Sequence, residues 1–237
     1  MIKKCILLAA GRGTRLQPIT NSTPKCLVKI KGRPLLEYWL VLLEKHGIKE
    51  VLINTHHLHQ QVSDYIDSIT TSINITISYE ENLLGSYSTL VKNKAYYKDQ
   101  ESVLIANADN LTNVNLSNLF EFHYSNSFGA TLALIKAKNP TEVGVVEIDS
   151  NNKIVSYAEK PSYPKSNLSN AGIYIFDTAL LSKFEKNALL QDIGYNLLPR
   201  IVGFSGGYVL NELLIDVGSH LSLDIANKLQ YDPIVKI

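Results

Sequence analysis

Leu8-Ala9-Ala10-Gly11-Arg12-Gly13-Thr14-Arg15-Leu16, followed by Thr23-Pro24-Lys25, is the stretch on which the reading of this chain turns. It continues an apolar run at 5–10 that predicts a first β-strand, so a small-residue turn with basic side chains sits at a strand's carboxyl end. Open α/β sheets bind their ligands at that edge. Gly11 and Gly13 let the backbone come close to a polyanion, and successive N–H groups of such a turn line up as a concave anion nest. Arg15 and Lys25 add positive charge for a phosphate placed there.

Two better-known phosphate loops are excluded by spacing. A dinucleotide fingerprint needs a third glycine where this chain has Leu16, and a Walker A loop needs Gly-Lys-Ser/Thr, whereas no Gly-Lys pair occurs in the chain. Taken alone, Gly-x-Gly with surface arginines is an ordinary strand-to-loop turn.

The 237 residues are 45% hydrophobic, enough for a full core, and one domain over 1–237 is expected. A net charge of +1 gives no field to draw the chain to nucleic acid or membrane. No window approaches the ~20 apolar residues of a membrane span, and the opening apolar run is too short for a secretory signal, so a cytoplasmic location is expected. Cys5 and Cys26 form neither a disulfide framework nor a metal spacing; Cys5 reads as strand core and Cys26 as an inert thiol beside the loop.

Pro34 suits a first helical position, and Leu35, Leu36, Trp39, Leu40, Leu42 and Leu43 form an apolar stripe ending at Gly47. Strands are predicted at 51–54, 73–79 and 102–106, with helical spacing through Leu58, Val62, Tyr65, Ile66 and Ile69 and again over 86–95. This alternation argues for an α/β fold: a Rossmann-like, mixed but mostly parallel sheet with helices on both faces. After residue 128 the rhythm changes to closely spaced strands at 130–136, 143–148, 153–157 and 172–176, which predicts antiparallel additions. Helices are expected at 178–184, around 193–202 and from 219. No hexapeptide period follows, so a β-helical acyltransferase domain is not expected.

Asp109 stands just past the strand at 102–106, and Asp216 follows Leu213-Leu214-Ile215 in the same manner. Two carboxylates at one sheet edge would hold Mg²⁺ if their strands are neighbours, although Asp after a strand is also a common turn former or cap. Glu159-Lys160-Pro161 is, alone, a charged turn. His56, His57 and His59 lack a carboxylate or cysteine partner at ligand spacing and read as solvated or capping. Lys92, Lys94 and Lys98 beside Tyr96 and Tyr97 read as a solvated helix face.

The longer pattern Ala-Ala-Gly-x-Gly-Thr-Arg-Leu, then Pro18 and Pro24-Lys25-Cys26-Leu27, resembles the signature loop of sugar-1-phosphate nucleotidylyltransferases, which make nucleotide sugars. The resemblance runs through Asp109, Glu159-Lys160-Pro161, Asn170-Ala171-Gly172 and Asp216-Val217-Gly218, and so spans essentially the whole chain. It implies the nucleotide-diphospho-sugar transferase fold. It further implies that Leu8, Ala10, Gly11, Arg12, Gly13 and Thr14, with Glu80 and Gly85, surround a nucleoside triphosphate. Arg15 would grip the departing pyrophosphate, Lys25 the phosphates, and Lys160 the sugar phosphate. Gly144, Glu159 and Asn170 would meet the sugar, and Asp109 and Asp216 would bind Mg²⁺. Homodimers are common in that family.

Two positions depart from its pattern. Ala10 stands where many members have a second glycine, and Leu84-Gly85-Ser86-Tyr87 replaces Leu-Gly-Thr-Ala or Leu-Gly-Ser-Ala, which leaves open whether the bulky Tyr87 changes how the base or sugar is seated. The implied reaction joins a nucleoside triphosphate, GTP by overall flavour, to a mannose- or heptose-type sugar 1-phosphate. The alternatives are UTP- or dTTP-dependent transfer to a sugar 1-phosphate, or CTP-dependent transfer to a phosphorylated alcohol such as phosphocholine, against which the sugar-side motifs speak. A non-catalytic nucleotide-sugar-binding subunit would have lost the loop arginine, lysine or an aspartate, and none is missing here.

Overall fold

Alternating apolar runs and helical stripes become, in a computed structural model that describes residues 2–185, 187 and 189–230, a mixed and mostly parallel central sheet with helices. The described residues group into two compact units. One, the N-terminal unit, takes Lys3–Leu83, Ala106–Leu116 and the described residues from Glu212; the other, the central unit, takes Ile2, Leu84–Ile105 and the described residues of Ser117–Asn211.

In the N-terminal unit the strands Lys4–Leu8, Glu50–Thr55 and Asn74–Tyr79 run parallel, with Leu8 opposite Asn54 and Asn54 opposite Ser78. The helices Leu35–Lys45 and His59–Ser68 make the crossovers. Leu35, Leu36, Tyr38, Trp39, Leu40, Leu42 and Leu43 are all buried, so the first helix is apolar nearly all round, as befits one enclosed by the core. It stops at His46, where Gly47 adopts φ 78°, a left-handed conformation that glycine takes without a Cβ penalty. Pro34 lies one residue before the helix, extended at ψ 142° and paired in a short ladder with Lys29.

In the central unit the strand Leu168–Asp177 runs antiparallel to Ala130–Lys136 and to Gly144–Ile148, and Gly144–Ile148 antiparallel to Ile154–Glu159. These are the antiparallel additions expected after residue 128. Some elements depart from expectation. The strand Ser205–Val209, which the sequence reading missed, pairs parallel with Ala130–Lys136. The expected helix at 193–202 is instead one wide turn, Ile193–Leu197, followed by the 3₁₀ turn Leu198–Arg200. Pro199 withholds an N–H, and the Asp192 carboxylate accepts the Tyr195 N–H at 2.9 Å, so local bonds close short turns there.

Ser102, His123 and Asp177 meet in the interior of this unit, but Ser102 and Asp177 both address His123 Nε2, at 3.3 and 3.1 Å, while Nδ1 faces Thr131. The hydroxyl across the ring from Asp177 belongs to Thr131, which is wholly buried and out of a substrate's reach, so the group braces strands and does not form an acyl-transfer triad.

Candidate active site

The Lys4–Leu8 strand releases the chain into the glycine loop, and the loop is pinned from below. Ala9 N–H donates to Asn54 Oδ1 at 2.7 Å, and Asn54 Nδ2 donates to Glu80 Oε1 at 2.9 Å. Asn54 and Glu80 are both buried, at the ends of neighbouring strands. Glu80, named from the sequence as a nucleotide contact, thus bonds to the residue that anchors the loop. Gly13 holds φ 64°, and a Cβ on it would lie 2.9 Å from Thr20 Cγ2 and 3.2 Å from Lys25 Cβ. Close approach as well as backbone conformation therefore demands glycine here.

Asp109 and Asp216 come together as the sequence required. The strand Leu214–Asp216 pairs antiparallel with Asn110–Thr112, placing Asp216 opposite Asn110, and Val217 N–H donates to Asp109 O at 2.9 Å. Lys25 lies on both: its Nζ is 2.5 Å from Asp109 Oδ2 and 3.7 Å from Asp216 Oδ1. Arg15 Nη2 stands 3.8 Å from Asp216 Oδ2. The loop residues Leu8, Ala9 and Gly11 share one hollow with Lys25, Cys26, Ala108 and Asp109.

Burial first, then the neighbouring Asp109 charge, pushes the Asp216 carboxyl above its ordinary range, and Lys25 and Arg15 pull against that rise. Two acidic oxygen donors close together beside cationic side chains suit a hard divalent cation, which takes carboxylate ligands and keeps several waters. Asp109 and Asp216 are therefore the residues able to hold a magnesium ion. Cys26, 2% exposed, has its thiol pushed up to about 12 by burial, which keeps it an unreactive SH at the loop's edge.

The histidines serve the scaffold. His57 Nε2 bonds Thr20 O at 3.0 Å and His56 Nδ1 bonds Glu80 O at 2.9 Å, while Arg12 Nη2 reaches His56 Nε2 at 3.4 Å. Thr14 starts a 3₁₀ turn that ends at buried Leu16.

In the central unit, register brings Gly144 opposite Glu159. Lys160 follows with φ 46°, its N–H bonded to Val143 O at 3.1 Å and its Nζ 5.8 Å from the Tyr195 ring centroid. Asn170 lies on the strand Leu168–Asp177. Gly85 holds φ 94°, and its segment is tied to 191–193: Tyr87 N–H donates to Gln191 O at 2.8 Å and Ser86 Oγ to Asp192 Oδ2 at 2.9 Å. Tyr87 faces inward. It is 1% exposed and its hydroxyl donates to Leu181 O, so the ring fills the interior of the unit and presents no bulk to a ligand.

The sequence reading missed Asn54, Tyr157, Asp192 and Gly194. A polar residue closing an otherwise apolar strand was the available sign for Asn54, and a two-residue offset from Glu159 on a strand was the sign for Tyr157.

The family model described as nucleotidyl transferase matches residues 4–230. The chain is 31% identical over 217 residues to the UTP–glucose-1-phosphate uridylyltransferase of Synechocystis sp., covering 84% of this chain and 55% of that protein. It is 30% identical over 185 residues to the mannose-1-phosphate guanylyltransferase catalytic subunit beta of Dictyostelium discoideum, covering 77% and 52%. The chain spans about half the length of the curated relatives it matches. HddC from Yersinia pseudotuberculosis, solved complexed with GMP-PN, has the same fold, with a TM-score of 0.80 at 20% identity over 96% of this chain and 99% of that one.

Proposed function

The chain belongs to the nucleotidyl transferase family, and on that premise we propose that it condenses a nucleoside triphosphate with a sugar 1-phosphate, yielding a nucleotide sugar and pyrophosphate. The observation that carries this reading is the placement of Lys25 on both Asp109 and Asp216, with Arg15 beside them, at the mouth of the glycine loop. A structural ion pair needs one carboxylate; a second one, Asp216, whose proton affinity Asp109 raises, makes a poor brace and a good phosphate and cation site. The family match takes in segments of both units, which supports reading 1–237 as one catalytic domain.

In this reaction a sugar-phosphate oxygen attacks the α-phosphorus in line with the leaving pyrophosphate, forming one P–O bond as the other breaks, with no covalent enzyme intermediate. Lys160 holds the attacking phosphate, Lys25 offsets the charge that builds on the α-phosphate oxygens, and Arg15 stabilises the pyrophosphate. A magnesium ion held by Asp109 and Asp216 would supply further neutralisation of phosphate oxygens. Backbone N–H groups of the loop, kept in place by Asn54, bind the triphosphate. Gly144, Glu159 and Asn170 contact the sugar.

For the base we favour guanine with a mannose- or heptose-type sugar, in line with the Dictyostelium relative and with the GMP-PN complex of HddC. A second reading, UTP with glucose 1-phosphate, is favoured by the Synechocystis relative. Specificity constants for GTP, UTP, dTTP, CTP and ATP, each against a panel of sugar 1-phosphates and phosphocholine, decide between them. GTP preferred with a manno-configured sugar supports the first reading, and UTP preferred with glucose 1-phosphate replaces it by the second.

A further inference from the structure

Glu159 and Asn170 lie on different strands, and the side chain between them is Tyr157. The direction of each hydrogen bond follows from the chemistry. The strand Leu168–Asp177 breaks register with its neighbour between Asn170 and Tyr174, and within that bulge Gly172 takes φ 70° and gives its N–H to Asn170 Oδ1 at 2.9 Å. A backbone N–H can only donate, so this bond fixes which end of the amide is oxygen. Asn170 Nδ2 is then a donor, and it gives to the Tyr174 hydroxyl at 2.7 Å. A carboxylate oxygen accepts, so the Tyr157 hydroxyl gives its proton to Glu159 Oε2 at 2.5 Å. Burial and the carboxylate keep that phenol protonated far above its ordinary range, so the direction of donation holds at any working pH.

The local glycines fit the same arrangement. A Cβ on Gly144 would overlap the Tyr157 hydroxyl and come within 2.7 Å of Glu159 Oε2, and one on Gly194 would lie 3.0 Å from the same oxygen. Among the described residues, Glu159 Oε2 is thus enclosed while Oε1 makes no hydrogen bond.

We propose that Tyr157 is a specificity-determining positioning residue, which occupies one oxygen of Glu159 so that Oε1 reads the orientation of a single sugar hydroxyl. Without the phenol, the carboxylate is free to rotate and to clasp neighbouring hydroxyls with either oxygen, and epimers become harder to tell apart. The proposal rests on the sugar-1-phosphate reading above.

Wild type and Tyr157→Phe, which keeps the ring, are compared for pyrophosphate release with the preferred sugar 1-phosphate and its epimers at the ring hydroxyls, alongside thermal melts. The expected result is about a tenfold loss of discrimination against the best-rejected epimer, with a raised KM for the preferred sugar phosphate, as for loss of a hydrogen bond to a charged group. KM for the nucleoside triphosphate and the melting temperature stay unchanged. Unaltered epimer discrimination in Tyr157→Phe overturns the role of Tyr157 alone. So does a variant that loses its fold or weakens nucleotide and sugar phosphate equally, because the hydroxyl would then be structural. A wild-type protein that turns over no sugar 1-phosphate overturns the underlying reading as well.

Discussion

Lys25 Nζ lies 2.5 Å from Asp109 Oδ2, and this pair joins the segment after the glycine loop to a carboxylate 84 residues later in the chain. Its lysine is only 10% exposed along the side chain, so the ammonium is held in place before any phosphate arrives. Such preorganised charge is what phosphoryl chemistry demands, since little reorganisation is then left for the moment of reaction.

Lys25→Ala is expected to lower turnover by ~10² to 10³, the scale on which single preorganised charge-stabilising donors act. Circular dichroism should show the fold retained. Near-full turnover in this variant would remove Lys25 from the chemistry.

Asp216 sets function against stability. Its carboxyl is raised above the ordinary 3.8. Above 3.8 and up to that raised position the native state binds more protons than the unfolded chain, so stability falls as pH rises through that window. Asp216→Asn should therefore melt at the same temperature as wild type at about pH 4 and at a higher one at about pH 7, when both are measured in chelator. The same substitution should cut turnover by ~10² or more. A variant less stable than wild type at neutral pH would show that the ion pairs with Lys25 and Arg15 outweigh burial.

Asn54 acts at one remove from substrate. Asn54→Ala takes a partner from the buried Glu80 carboxylate and from the Ala9 N–H, at an expected cost of ~1 to 3 kcal/mol in denaturant unfolding. The loop then loosens, and KM for the nucleoside triphosphate should rise while KM for the sugar phosphate stays near wild type. Equal rises in both would argue against a role confined to the loop.

Tyr87 belongs to the core. Tyr87→Ala is expected to destabilise the protein by ~3 to 5 kcal/mol, as for other large aromatic truncations, and Tyr87→Phe by about 1 kcal/mol for the bond to Leu181 O. Neither should change the order of preference among nucleoside triphosphates. A shifted order would return this ring to the binding surface.

What the sequence made legible is what local physics dictates. The strand into a glycine turn was readable because apolar runs and Gly13 leave few alternatives, and Asp109 and Asp216 were readable because each follows an apolar strand. The helix Leu116–Ser125 was not recognised, although Leu116, Leu119 and Phe120 recur at helical spacing and are buried. The strand Ser205–Val209 was hidden by Gly206 and Gly207, which carry no β signal and depend on pairing with Ala130–Lys136. The place of Tyr87 was not readable because sequence spacing gives no inward or outward direction to a residue in a short helix whose neighbours come from 181 and 191. The setting of the Asn170 amide needed the bulge at Gly172, and a bulge arises from pairing between strands.

The most direct measurement is pyrophosphate released by the purified chain with magnesium, GTP and mannose 1-phosphate, or the substrate pair that the specificity panel prefers. The account predicts pyrophosphate in equal amount to nucleotide sugar, dependent on both substrates and lowered at least ~10²-fold in Asp109→Ala. Release of inorganic phosphate in its place, no product from any pair, or full activity in Asp109→Ala would contradict it.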